Sequence, residues 1–222
     1  MKIKAIIFDM DGLLVDSEPT WNNARLAIAK RAGKEWNKQD HFNVMGVSTD
    51  EWTEYMRKRL ELDMSPAELQ QEVLDQMTAM YAEKIPFRPH AVEAVQWAAA
   101  HYPVALASGS ARPLIDIVTQ SPELDGCFQV ILSADEVGAG KPDPAVYLEA
   151  AKRLGVAPEN CVCLEDSPFG VLSGHRAGMI VINIPDPDFP LKPEEAQYAD
   201  LVLDSLAEFS DQTIKSLLAG SD

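Results

Sequence analysis

The chain has 222 residues, 46% hydrophobic and 24% charged, a composition that supports a substantial globular core. Its formal net charge of −16 argues against nucleic acid as a partner, because that binding depends on neutralising phosphates with Lys and Arg. No segment reaches the roughly 20 apolar residues of a membrane helix, so no membrane partner is expected.

The first predicted element is a strand over Lys2–Asp9, where Ile3, Ala5, Ile6, Ile7 and Phe8 make a short apolar run. Asp9 and Asp11 interrupt that run, so it does not read as a secretory signal. They belong to Asp9-Met10-Asp11-Gly12. Two carboxylates one residue apart, at the mouth of a buried strand, repel each other when desolvated and tend to take up a proton or a cation. Mg²⁺, which prefers oxygen ligands, is the natural cation. Asp and Gly are also common turn residues, so the tetrapeptide alone leaves a plain surface turn open.

Residues 17–85 then break the strand–helix alternation. Helices are expected near Trp21–Ala32, Thr49–Leu62 and Pro66–Glu83, the last opened by Ser65-Pro66-Ala67-Glu68, which has the spacing of a capping box. The segment reads as a helical insertion into a core built from residues 1–16 and 86–222. Beyond it the alternation resumes. A helix near Pro89–Ala100 precedes a strand at Val104–Ser108 that runs out into Gly109 and Ser110; a helix at Arg112–Thr119 and a strand at Gln129–Ser133 follow. Gly140-Lys141-Pro142-Asp143-Pro144 sets a cation before a helix near Pro144–Leu154. The strand Cys161–Glu165 ends in two adjacent acids, Glu165 and Asp166, before a helix at Pro168–Ala177. A strand at Met179–Ile184, a weak one at Leu201–Leu203 and a helix at Ser205–Leu218 complete the order. Asp143 before Pro144, and Ser167 before Pro168, each read as an N-cap followed by proline at the first helical position.

Strands alternating with helices imply an α/β fold: a Rossmann-like parallel sheet with helices on both faces, here carrying an inserted α-helical cap. Ligand sites in such sheets lie beyond the carboxyl ends of the strands. All four polar segments fall there. Gly138-Ala139-Gly140-Lys141 is not a nucleotide P-loop, since that motif has four residues between its glycines and Ser or Thr after Lys. Cys161 and Cys163 share one face of their strand as small core residues, and three cysteines make no disulfide framework, which points to the cytoplasm. Asp186 and Asp188 read as solvated turn residues of an irregular Pro185–Pro193 loop. His41, His90, His101 and His175 sit at no motif and read as surface or packing residues.

In this order, Asp9-Met10-Asp11, Ser108, Lys141 and Glu165-Asp166 resemble the motifs of the haloacid dehalogenase-like phosphatase superfamily. The extended opening from Asp9 to Glu18 is similar to its sugar-phosphate branch, which holds β-phosphoglucomutases and 2-deoxyglucose-6-phosphate (hexitol phosphate) phosphatases. The resemblance spans Lys2 to about Asp204. It implies a Mg²⁺-dependent phosphatase of small sugar or sugar-alcohol phosphates, with Mn²⁺ or Co²⁺ as substitutes, acting as a monomer. Asp9 is then the nucleophile and Asp11 the general acid and base. Asp9, the Asp11 backbone carbonyl, Glu165 and Asp166 hold the metal, with Glu165 direct or through water. Asp9, Ser108, Gly109 and Lys141 bind the transferring phosphoryl group.

The resemblance also implies that residues 17–85 close over the site and contact the leaving group. Candidates are Trp21, the Gly46, Val47 and Ser48 loop, Asn22, Trp52 and Met77. The competing reading is that Trp21, Leu26 and Trp52 hold the insertion together. Mutases of this branch carry a histidine where this chain has Trp21, which favours hydrolysis over the alternative, a hexose-phosphate mutase. A stable phospho-acceptor is disfavoured by Asp11 and the large insertion. Dehalogenase chemistry is disfavoured because it needs neither the second aspartate nor a metal.

Overall fold

The N-terminal apolar run forms a central strand. The computed structural model describes residues 2–45, 49–186 and 191–219. The elements run β1 (Ala5–Phe8), α1 (Glu18–Arg31), α2 (Lys38–Phe42), α3 (Thr49–Leu60), α4 (Pro66–Glu83), α5 (Ala91–His101), β2 (Val104–Ser108), α6 (Arg112–Thr119) and β3 (Val130–Ser133). They continue as α7 (Ala145–Leu154), β4 (Cys161–Glu165), α8 (Pro168–Arg176), β5 (Ile180–Asn183), α9 (Pro193–Ala196), β6 (Leu201–Val202) and α10 (Asp211–Ala219). The chain divides into two compact units, Met1–Asp16 with Pro86–Asp222, and Ser17–Ile85.

In the α/β unit the described strands form one parallel sheet in the order β3-β2-β1-β4-β5-β6. Ile7 pairs with Ala105 on one side and Cys163 on the other, so small and medium side chains alternate along that row. Ala5, Ile7, Ala105, Ala107, Cys161 and Cys163 turn one face toward Val146, Tyr147, Ala150 and Ala151 of α7. Small side chains on both partners let helix and sheet approach closely. The two cysteines are therefore core residues, and both are free thiols. Gly174 of α8 lies so close to this row that a Cβ there would stand 2.3 Å from Cys163 Sγ.

β2 and β4 match expectation, while β1, β3, β5 and β6 differ from it by one to three residues at an end. β1 begins at Ala5 and ends before Asp9, whose N–H still donates to Leu164 O at 3.1 Å before the chain turns at Gly12. The helix expected over Ser205–Leu218 is two pieces: a single 3₁₀ turn at Leu206–Glu208, then α10. Between them Phe209 is extended and sets its ring edge-on against Phe8 and Trp97. Burying that ring outweighs continuing the helix. Ser167 caps α8 through Gly170 N–H at 3.1 Å, as expected. Asp143 sits one position too early; Pro144 is the N-cap of α7, and Asp143 Oδ1 accepts from Ala145 N–H instead. Asp186 pairs with Arg88, so it is no solvated turn residue. Asp188 lies outside the described residues.

The helical unit packs α1 and α3 against α4 around Ile28, Trp52, Met56, Leu69, Val73 and Met77. Leu26, expected as a possible inner brace, is exposed. The Ser65 capping box forms, with Ser65 N–H on Glu68 Oε2 at 2.7 Å and Glu68 N–H on Ser65 Oγ at 3.2 Å. Sequence reading missed α2, a single turn with no apolar period. It is held by Asn37, whose side chain caps Gln39 and Asp40 while Asp40 accepts from Asn37 N–H. Among the described residues no helix is long and apolar enough to cross a membrane.

Candidate active site

The parallel register brings the ends of β1 and β4 side by side, since Phe8 pairs with Leu164. Asp9 and Glu165 follow directly, and Asp166 comes next. One carboxylate oxygen from each of these buried residues lies within 4.8 Å of the others. Lys141, from the loop before α7, sends all three of its N–H groups inward. They donate to Asp9 Oδ1 at 2.5 Å, Glu165 Oε1 at 2.6 Å and Ala107 O at 3.1 Å. Two of the three carboxylates thus share one ammonium, and Asp166 stands beside them without a bond to it.

That imbalance shows in their protonation. Burial pushes Asp9 up to about 8 against the pull of Lys141, with the charges of Glu165 and Asp11 adding to the rise. Burial, then Glu165 and Asp9, hold Asp166 well above the usual carboxylate range. Asp166 Oδ1 is buried with no hydrogen-bond partner. A water-poor cluster of hard oxygens, short of positive charge and with one oxygen unmatched, fits a divalent metal ion.

The two adjacent acids have different surroundings. Glu165 is fully buried and saturated. Its Oε1 accepts from Lys141 and from Tyr147 O–H at 2.5 Å, and its Oε2 accepts from Asp166 N–H and Ser167 O–H, both at 3.2 Å. Tyr147 also places its ring 4.9 Å below Lys141 Nζ. Gly170 makes room for this carboxylate, because a Cβ there would lie 1.9 Å from it. Gly12 does the same for Asp166. A Cβ at Gly12 would lie 1.9 Å from Asp166 Oδ2, and its φ of 78° is one that L side chains resist.

Asp11 faces a different set. Its Oδ2 accepts from Ser108 O–H at 3.0 Å and Ser110 O–H at 2.7 Å, while Oδ1 is buried without a partner. Ser108 Oγ in turn accepts from Ser110 N–H at 2.9 Å, and Ser133 O–H donates to Ser110 O at 2.8 Å. A Cβ added to Gly109 would meet nothing within 4 Å, so open space lies beside that backbone. The structure therefore gathers Asp9, Lys141, Glu165 and Asp166 into one cluster and ties Asp11 to Ser108. Sequence reading missed Tyr147, Ser110 and Asn183, whose side-chain amide donates to Glu165 O at 3.0 Å. Ser110 could have been found from its place two residues past Ser108. Tyr147 gave only the weak signal of an aromatic with a polar tip on an otherwise apolar helix face. Trp21 belongs to the helical unit, 6.3 Å from Trp52 and edge-on to it. Gly46, Val47 and Ser48 lie outside the described residues.

The haloacid dehalogenase-like hydrolase pattern matches residues 3–178. Hexitol phosphatase B of Escherichia coli (strain K12) is 34% identical over 220 residues, 98% of this chain and 97% of its own length. A Drosophila melanogaster protein named "Probable pseudouridine-5'-phosphatase" is 35% identical over 219 residues, 95% of this chain and 93% of its own. Among solved structures, CbbY from Rhodobacter sphaeroides in complex with phosphate is similar with a TM-score of 0.81 at 26% identity, covering 94% of this chain and 96% of that one.

Proposed function

The chain belongs to the haloacid dehalogenase-like hydrolases, in their sugar-phosphate phosphatase branch, and from that premise we propose that it is a Mg²⁺-dependent phosphatase of small sugar or sugar-alcohol phosphates. The observation that carries this reading is the convergence of Asp9, Glu165 and Asp166 oxygens on one buried spot, with Lys141 bonded to the first two and an Asp166 oxygen unmatched. Asp9, the Asp11 carbonyl and Asp166 would hold the ion, while Glu165, already saturated, steadies Lys141 from behind. When bound, Mg²⁺ offsets the repulsion between a carboxylate and a phosphoryl dianion.

Asp9 attacks phosphorus, forming an aspartyl-phosphate as the bond to the sugar oxygen breaks. Asp11 gives its proton to that departing oxygen, then takes one from the water that attacks the aspartyl-phosphate. Hydrolysis releases inorganic phosphate and restores Asp9. Ser108, the Gly109 amide and Lys141 balance charge on the phosphoryl oxygens. The protons of Ser108 and Lys141 are already spent on protein acceptors. Binding the phosphoryl group therefore exchanges acceptors rather than filling idle donors.

The mutase alternative requires a phosphorylated sugar intermediate to be kept and water delayed; Trp21, standing where the mutases carry histidine, supplies no such polar group. The deciding experiment is a panel of hexose, hexitol, pentose and nucleoside monophosphates, with Mg²⁺ and with EDTA. Metal-dependent release of free phosphate is expected, strongest on hexitol and hexose phosphates. Isomerised sugar phosphate without free phosphate would favour the mutase, and turnover undiminished by EDTA would remove the metal.

A further inference from the structure

The α/β unit is interrupted between Asp16 and Pro86, and the two ends meet within it. Val15 and Phe87 form an antiparallel bridge, Asp16 N–H donates to Pro86 O at 2.9 Å, and Arg88 N–H donates to Leu14 O at 2.8 Å. The turn that carries Asp11 closes on itself. Gly12 N–H donates to Val15 O at 2.8 Å, and the Leu14 and Val15 N–H groups share Met10 O. Among the described residues, the backbone hydrogen bonds that tie residues 11–16 to anything outside this turn run to residues 86 and 88. Apart from its two serines, then, the Asp11 carboxyl is placed only as well as residues 86–88 are placed.

Those residues are held from two directions. On one side α5 follows, with Ala91 N–H on Arg88 O at 3.1 Å. On the other, the Arg88 side chain reaches 98 positions along the chain to Asp186, its Nη2 donating to Oδ2. Asp186 lies two residues past Ile184, whose N–H donates to Glu165 O at 2.8 Å, the same oxygen that takes the Asn183 amide. The pair therefore closes a ring of contacts. It runs from the Asp11 turn, through residues 86–88 and the end of β5, to the carbonyl just before Asp166.

Stability alone is a poor reason for this pair. Its side chains are only 21% and 19% exposed, and Arg88 Nε is buried with no hydrogen-bond partner. Ion pairs so withdrawn from water gain little over apolar groups of similar size, because desolvation offsets their attraction. What the pair does fix is position. Arg88 is always charged, and a carboxylate anchored on β5 sets where its backbone stands.

We propose that Arg88 and Asp186 are positioning residues for Asp11, their pairing holding the turn so that the Asp11 carboxyl meets the departing sugar oxygen. The inference rests on the phosphatase reading above. As the bond from Asp9 to phosphorus forms and the bond from phosphorus to the sugar oxygen breaks, the Asp11 proton passes to that oxygen. A displaced turn weakens this transfer. It leaves Asp9, Lys141, Glu165 and Asp166 in place, since those hang on β1, β4 and the loop before α7.

Leaving groups supply the test. An alkyl oxygen needs a proton to depart, whereas the phenolate of p-nitrophenyl phosphate departs without one. The measured quantity is kcat/KM for the sugar or polyol phosphate cleaved best, divided by kcat/KM for p-nitrophenyl phosphate. It is compared among wild type, Arg88→Met, Asp186→Asn and the double variant, with thermal unfolding alongside. The ratio should fall about tenfold in each single variant, a fraction of a general acid's usual contribution. The double variant should fall no further, because either change already breaks the same tie. Arg88→Lys, which keeps the charge, should recover part of the loss; with Asp186→Asn it decides the matter should Arg88→Met not fold. Equal losses on both substrates would mark a merely structural pair and overturn the assignment, as would falls that multiply in the double variant. A wild type that frees phosphate from no sugar or polyol phosphate overturns the phosphatase reading and this inference with it. An active wild type whose ratio holds constant across the variants overturns this inference alone.

Discussion

Asp40 in the helical unit and Asp9 in the α/β unit are both nearly removed from water, at 3% and 5% exposure, and each touches a basic side chain. Their protonation is nevertheless pushed in opposite directions. Burial alone would raise Asp40, but hydrogen bonds from Asn37 N–H, Arg59 and Tyr55 O–H overcome it and hold the carboxyl below its usual range. Asp9 has one ammonium, shared with Glu165, and two further acids beside it, so its carboxyl goes up. A saturated buried carboxylate ties structure together. A cluster with surplus charge and an unmatched oxygen is built to receive something, and that difference separates scaffold from site.

The comparison breaks first at Asp9. Asp9→Asn should cut phosphate release on the order of 10⁴-fold or more, as expected for loss of a nucleophile. Its melting temperature should stay within roughly 4 °C of wild type, since the substitution also removes surplus charge. Near wild-type turnover would end the nucleophile assignment. Gly12→Ala should come next, with activity falling at least about a hundredfold, because its Cβ would collide with Asp166 on a backbone that already resists side chains. Weakened Mg²⁺ binding, read by calorimetry, should accompany the loss; unchanged binding and rate would show that Asp166 has room to move.

Asp40→Asn should act on stability alone. A fully buried pair costs roughly 3–5 kcal/mol to break. Arg59 is 36% exposed, so about 2 kcal/mol is expected here, read by urea unfolding. A variant as stable as wild type would show that Asp40 is no tie. The smallest effect is a pH slope. Between the ordinary 3.8 and about 8, folded Asp9 keeps a proton that the unfolded chain has given up. Folding therefore loses stability as pH rises through that window. In EDTA the melting temperature should drift down from pH 5 to pH 8, and the drift should shrink in Asp9→Asn. An identical slope in that variant would place the effect elsewhere.

Much of the fold was legible because parallel strands buried on both faces leave continuous apolar runs, as at Val104–Ser108 and Cys161–Glu165, and both of these strands begin and end where the sequence reading placed them. Ser65 and Ser167 marked helix starts for an equally local reason, since a cap satisfies N–H groups three residues away. Asp143 misled because its proline neighbour took the cap position. The break at Phe209 was hidden, since what stops the helix there is a ring packed against residues far off in the chain.

The order of strands and helices, and the placing of Asp9, Ser108, Glu165 and Asp166 at or just past strand ends, follow from periodicity and turn chemistry that a chain carries locally. Which groups meet is another matter. Tyr147 on Glu165, Ser110 on Asp11 and Gly170 beneath a carboxylate depend on register and helix approach. The two hydrogen bonds from Arg59 to Asp40 likewise depend on partners brought together by packing. Hydrogen bonds and desolvation act over a few ångströms in space, without regard to separation along the chain, and so only the folded molecule decides them.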